Sequence, residues 1–184
     1  MIVGIDEVGR GCWAGPLVAG AVALAKPIDG LRDSKVLPKL QRVRLSQEIY
    51  QKAAAVGLGW VSAREVDVLG LTEAVRLAMQ RAVAQIELPY DEIIIDGSYN
   101  FMSTDSRARA VVRADGSIPA VSAASIVAKV ARDEWMSSNA AQEFPVYGFE
   151  KHVGYGTKLH QDMLKLHGVC SLHRLSYKPI QQLI

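Results

Sequence analysis

Four acids in this sequence stand where short apolar runs end. Asp6 and Glu7 close the run Ile2-Val3-Gly4-Ile5, Asp96 closes Ile93-Ile94-Ile95, and Asp115 follows the run that includes Ala110-Val111-Val112. Carboxylates at the exits of buried strands can be aimed at one spot by neighbouring strands. Packed together they repel and raise one another's pKa unless cations neutralise them, so such a cluster implies divalent metal. An all-oxygen set, with no His or Cys among its members, suits Mg²⁺ or Mn²⁺ better than zinc. Two such ions about 3.5 to 4 Å apart can activate a water on one side of a phosphodiester and stabilise the leaving oxygen on the other. The competing reading, that each acid only solvates a loop entrance, is not excluded by spacing alone. A regular strand also sends adjacent side chains to opposite faces, so Asp6 and Glu7 share a metal site only if the strand ends or bulges there. Gly9 and Gly11 offer a place for that departure.

Other residues have types suited to a polyanionic ligand. Gly9-Arg10-Gly11 can bring backbone amides close to a ligand while Arg10 supplies a cation, although a tight turn explains the glycines as well. Lys35, in Asp33-Ser34-Lys35, can hold a phosphate or simply be solvated. Ser122, Ser125, Lys129 and Arg132 form a polar stripe at helical spacing, readable as a backbone-facing surface or as the wet side of an amphipathic helix. Tyr155 lies between Gly154 and Gly156, which keeps its ring accessible for stacking on a sugar or base. His167, Cys170 and His173 have a zinc-like spacing without an evident fourth ligand, and are read as structural or surface residues.

The elements that must position these residues follow from periodicity. Strands are expected at Ile2 to Asp6, Leu17 to Leu24, Val56 to Val61, Glu92 to Asp96 and Ala110 to Arg113. Helices are expected from Pro38 to about Ala54, along the face Leu71, Val75, Ala78, Ala82 and Ile86, from Ser122 to about Asn139, and near Lys158 to Leu166. This order implies an α/β fold, a mixed sheet covered by helices.

With 184 residues, 49% hydrophobic and 22% charged, the chain is expected to be one globular domain spanning 1–184 with no linker. A net charge of +2 neither demands nor forbids a nucleic-acid partner. The stretch after Phe149 is cation-rich, with Lys151, Lys158, Lys165, Arg174 and Lys178, and reads most simply as a solvated helical terminus. Two distant cysteines, Cys12 and Cys170, and the lack of a leader-like or membrane-spanning run favour a cytoplasmic protein without disulfides.

In combination, Gly4-Ile5-Asp6-Glu7-Val8-Gly9-Arg10-Gly11, Ala14-Gly15-Pro16 and Asp33-Ser34-Lys35 strongly resemble bacterial ribonuclease HII. The match continues through Ile95-Asp96-Gly97, Ala114-Asp115-Gly116, the run from Ser122 to Asp133, and His152-Val153-Gly154-Tyr155-Gly156-Thr157, covering nearly the entire chain. The resemblance implies a ribonuclease H-like fold with a central mixed five-stranded sheet flanked by helices and a helical C-terminal segment. It implies Asp6, Glu7, Asp96 and Asp115 as the catalytic, metal-binding set, with Mg²⁺ or Mn²⁺ in a two-metal site. It also implies cleavage of RNA in RNA/DNA hybrids and on the 5′ side of single ribonucleotides in duplex DNA, leaving 3′-hydroxyl and 5′-phosphate ends, with roles in ribonucleotide excision and primer removal. Gly9, Arg10 and Gly11 would read the 2′-hydroxyl, Tyr155 would stack beyond the junction, and Lys35, Ser125 and Lys129 would hold backbone phosphates. Arg113-Ala114 and Asp115-Gly116 depart from the commoner family residues without removing a carboxylate. A monomer is expected, without the extra N-terminal domain of ribonuclease HIII and without sliding-clamp aromatics in Gln181-Gln182-Leu183-Ile184. The alternatives are a DNA-acting nuclease of the same fold and a non-catalytic hybrid-binding module.

Overall fold

The computed structural model describes residues 1–183. Its strands are β1 (Ile2–Val8), β2 (Leu17–Ala23), β3 (Ala55–Val61), β4 (Glu92–Asp96) and β5 (Ala108–Val111). They form one five-stranded sheet in the order β3-β2-β1-β4-β5. The β1–β2 and β2–β3 pairs are antiparallel, whereas β1–β4 and β4–β5 are parallel, so the sheet is mixed as expected. The longer helices are α1 (Lys39–Lys52), α2 (Ala63–Leu69), α3 (Leu71–Val83), α4 (Pro119–Trp135) and α5 (Lys158–His167).

Strand alternation sorts the core into two layers. Val3, Ile5, Ile93 and Ile95 pack with Ala74, Val75, Ala78 and Met79 of α3. On the opposite face, Val22 packs with Ala123, Ala124 and Val127 of α4, and with Leu45 and Ile49 of α1. Glycines let the helices approach closely. A Cβ on Gly4 would lie 2.2 Å from the backbone of Ala120, and one on Gly59 would lie 1.8 Å from the carbonyl oxygen of Ala78. Helix α4 therefore lies directly on β1, next to the residues that end that strand.

Several elements differ from expectation. Strand β1 continues beyond Asp6 to Val8, held in regular register with β2 through Asp6↔Gly20, Glu7↔Ala19 and Val8↔Val18. Strand β5 starts and ends two residues earlier than the periodicity suggests, because it is half-exposed and because Arg113 adopts a left-handed conformation with φ 58°. Helix α4 begins at Pro119, in the first-turn position proline tolerates, and gives way after Trp135 to a π-helical turn over Met136–Ala140. The long helix expected to reach Ile86 stops at Val83, and the short α2 was not anticipated. Its signal was present: Ser62 accepts from the Glu65 amide while the Glu65 carboxylate accepts from the Ser62 amide, a complete capping box.

The C-terminal segment is helical, as expected, through α5 and a short turn at Lys178–Gln181, and it encloses a third apolar cluster around Phe149, Leu164 and Ile180. It is not simply a solvated surface, since Arg174 and His173 are buried. Ile184, part of the stretch expected to lack clamp-binding aromatics, lies outside the described residues. Among the described residues no helix is long and apolar enough to cross a membrane.

Candidate active site

The parallel pairing of β1 with β4 brings Ile5 opposite Ile95, and each strand then delivers an aspartate in the next position, Asp6 and Asp96. Both fall on the face that α4 covers. The chain after β5 turns at Arg113 into a single 3₁₀ turn, Ala114–Gly116, which carries Asp115 to the same place. Ligand oxygens of Asp6, Asp96 and Asp115 all lie within 4.8 Å of one another. The backbone holds this arrangement: the Asp115 amide donates to Asp96 Oδ1 at 3.3 Å, and the Ser122 hydroxyl of α4 donates to the Asp115 carbonyl at 2.6 Å.

Glu7 is not a member of that close trio. Because β1 stays regular, its side chain leaves on the other side of the strand, where Oε1 accepts from Arg10 Nη1 at 3.0 Å. The bulge that would have turned Glu7 toward Asp6 is not formed. Glu7 still borders the site, since the Asp96 charge acts on it, and its Oε2 is buried without a hydrogen-bond partner.

Burial and mutual repulsion dominate the electrostatics. Burial, reinforced by Glu7 and Asp96, pushes the Asp6 carboxyl up to about 8, while the Ser125 hydroxyl pulls in the opposite direction. Burial also raises Glu7 against the opposing pull of Arg10, and raises Asp115 with help from Asp96 and Asp33. Lys35 is a nearby cation, its Nζ 3.9 Å from Asp115 Oδ2. Its partial burial favours the neutral amine, but Asp6, Asp33, Asp115 and Asp96 outweigh that and raise its pKa. One exposed lysine does not balance this many buried acids. The acceptor-only donor set, the orphaned Glu7 oxygen and the raised carboxyl pKa values all fit hard divalent cations.

The remaining expected residues lie around this cluster. Ser125 is buried on α4, where its hydroxyl meets Ser34 Oγ at 2.9 Å and lies against Asp6, so it is turned toward the aspartate and away from solvent. Lys129 pairs with Asp133 at 2.9 Å and sits 5.3 Å from the centre of the Tyr155 ring. Tyr155 is 38% exposed, as its flanking glycines suggested, and partial burial, reinforced by the neighbouring Cys12 thiol, lifts its phenol to about 12. The Ser122 to Arg132 stripe is not a wet face: Ser122, Ser125 and Arg132 are all buried. Arg10 and Gly11 are exposed at the loop surface, and Gly9 is buried.

Two sets of buried residues, whose roles the sequence left open, shape the loops. Arg132 donates to the carbonyls of Pro16, Ala14 and Val153, tying the loop after β1 to the segment that bears Tyr155. His152, His160 and His173 stack behind that segment, His160 Nε2 lying 3.0 Å from His173 Nε2. The Cys170 amide donates to His173 Nδ1, and His160 Nδ1 donates to the Tyr155 carbonyl, so the chain of bonds is complete with both rings neutral. The structural reading of His173 agrees with this arrangement.

A family model described as Ribonuclease HII matches residues 3–180. A ribonuclease HII from Shewanella loihica is 46% identical over 183 residues, covering 97% of this chain and 88% of the relative. The chain belongs to the ribonuclease HII family. It is therefore an enzyme, a phosphodiester endonuclease of the ribonuclease H class. Among solved structures, ribonuclease HII in its PCNA complex from Archaeoglobus fulgidus superposes with a TM-score of 0.83 at 26% identity, covering 100% of this chain and 96% of that one. Bst ribonuclease HIII, solved in complex with Mn²⁺, shares the fold at a TM-score of 0.73 and 18% identity, over 99% of this chain and 68% of its own. Ribonuclease HII is thus the family at the level of sequence, and the ribonuclease H-like architecture extends beyond it.

Proposed function

We propose that the chain acts as one catalytic domain that hydrolyses RNA in RNA/DNA hybrids and at single ribonucleotides in duplex DNA, cutting on the 5′ side of the ribonucleotide. The observation that carries this reading is the convergence of Asp6, Asp96 and Asp115, with Glu7 at the border, on one edge of the sheet. These acids would hold two Mg²⁺ or Mn²⁺ ions, a reading that the manganese complex of the structurally similar ribonuclease HIII supports. When bound, such ions supply a low-pKa water as nucleophile and offset charge on the leaving 3′-oxygen, which accounts for 3′-hydroxyl and 5′-phosphate products.

The chain's own residues do the rest. Asp6 and Asp96 are fixed by strands that pair up to the preceding residue, so the carboxylates are preorganised and pay little to reach their working geometry. Lys35, exposed beside Asp115, is placed to meet a backbone phosphate. Exposed Arg10 and Gly11 offer donors to the sugar, the Tyr155 ring offers a stacking surface, and Lys129 beneath it adds positive charge. Such a nuclease works in the cytoplasm, on ribonucleotide excision and primer removal.

The test is a nicking assay on duplex DNA with one ribonucleotide, on a long RNA/DNA hybrid and on an all-DNA control. The first two should be cut and the control spared. Asp96→Asn should lower kcat at least a hundredfold while hybrid binding persists. Equal cutting of the DNA control, or undiminished turnover by D96N, would overturn the reading.

A further inference from the structure

Arg174 is a fully buried cation, 0% exposed, and among the described residues it makes no salt bridge. An isolated buried charge is costly unless its donors are all used. Arg174 uses them on one loop. Nη1 donates to the carbonyl oxygens of Gly9 at 2.7 Å and Arg10 at 3.2 Å, and Nε and Nη2 both donate to that of Gly15. The Tyr177 hydroxyl accepts from Nη1 at 2.8 Å and itself donates to the Arg10 carbonyl at 2.6 Å.

A trans peptide unit points its C=O and N–H in opposite directions. With the Gly9 and Arg10 oxygens drawn inward to Arg174 and Tyr177, the amides sharing those units, of Arg10 and Gly11, point outward. Both residues are exposed, and among the described residues neither amide donates a backbone hydrogen bond. Consecutive free amides form a concave donor site for an acceptor atom, and polarisation of their carbonyls by a guanidinium makes them stronger donors.

We propose that Arg174, with Tyr177, is a positioning residue for ribonucleotide recognition: it fixes the 9–11 peptides so that the amides of Arg10 and Gly11 face the substrate sugar as paired donors. The proposal rests on the reading above in which this loop meets the 2′-oxygen. It makes the C-terminal segment, far from the carboxylates in sequence, a determinant of substrate choice.

Tyr177→Phe removes one bond to the Arg10 carbonyl with little change of shape, and Arg174→Lys keeps the charge but loses the fork that reaches several carbonyls at once. Steady-state rates on duplex DNA with one ribonucleotide, binding of an all-DNA duplex, and Mn²⁺ titration should be measured for both variants and the wild type. Y177F should raise KM on the ribonucleotide duplex about fivefold with kcat changed less than twofold, while DNA binding and the Mn²⁺ midpoint stay constant. R174K should show the same pattern, enlarged, if it folds, and Y177F decides the matter if it does not. Parallel losses on both duplexes, or an unchanged KM in folded Y177F, would overturn the positioning role. A wild type that ignores the ribonucleotide would instead remove the functional reading on which it stands.

Discussion

Replacing Asp6 by Asn should stabilise the metal-free protein while abolishing its activity. The ligand oxygens of Asp6, Asp96 and Asp115 lie within 4.8 Å of one another. At an effective dielectric constant of about 20, two full charges at that separation repel by roughly 3 kcal/mol. Burial adds to this, and the Asp6 carboxyl rises from 3.8 to about 8. The folded chain therefore keeps a proton at pH 7 that the unfolded chain releases, which costs the fold roughly 4 kcal/mol at that pH. Because the folded pKa is raised, this group's contribution to stability is fully present below pH 3.8 and is lost as pH rises through about 8. Asn is isosteric and retains the oxygen that accepts from the Glu7 amide at 2.8 Å. For a chain of this length, each kcal/mol moves Tm by about 2 to 4 °C, so Asp6→Asn should raise Tm in EDTA at pH 7 by at least about 5 °C. Saturating Mn²⁺ should close most of that gap, because only the wild type gains binding free energy, about 3 kcal/mol at a hundredfold excess over Kd. Differential scanning fluorimetry with and without Mn²⁺ reads both effects. A variant less stable than the wild type in EDTA, or one with the same Mn²⁺ response, would refute the electrostatic account of the site.

Two further outcomes probe the scaffold. Burial holds His160 and His173 at about 4, so both rings stay neutral when folded, and the stability they provide above pH 6.5 is lost as pH falls through about 4. In the Asp6→Asn background, which lacks the opposing aspartate slope, the urea midpoint should drop steadily from pH 7 to pH 5, and a flat profile would contradict the neutral-pair assignment. Gly59→Ala places a Cβ 1.8 Å from the Ala78 carbonyl and must push α3 off the sheet, whereas Gly116→Ala meets nothing within 4 Å. Calorimetry should show Tm lower by roughly 5 to 10 °C for the first and within about 2 °C of wild type for the second. Equal effects would mean that the close approach of α3 is not what Gly59 serves.

What could be read from the sequence was local. Ile93-Ile94-Ile95-Asp96 announces both a buried strand and the acid at its exit, and β4 has the expected bounds. Asp6 likewise closes an apolar run but lies inside β1, and the placement of Glu7 depended on that continuation, which the β2 partner decides and the glycines at 9 and 11 misrepresent. Strand β5 carried no alternation because both of its faces are partly exposed, so its register was set by the turn before it and Arg113 after it. Buried arginines were the least visible. Arg132 and Arg174 have the composition of surface residues, and only their long-range bonds to loop carbonyls show otherwise.

That contrast divides the molecule by the kind of interaction on which each part depends. Asp6 and Asp96 lie just past the last residues at which β1 and β4 pair, so their placement follows from the sheet, while Asp115 is carried by the turn after β5. The loop from Gly9 to Pro16 lies outside the sheet: its Trp13–Gly15 end bonds to the C-terminal segment through a single bridge, Ala14 to His173, and its Gly9–Arg10 peptides are held by guanidinium and hydroxyl groups of that segment. Its peptides can therefore be reoriented without moving Asp6, although the two are neighbours in sequence. On the proposed reading of this loop, substitutions around Arg174 should change which sugar is accepted, and substitutions at Asp6 and Asp96 should change whether anything is cut at all.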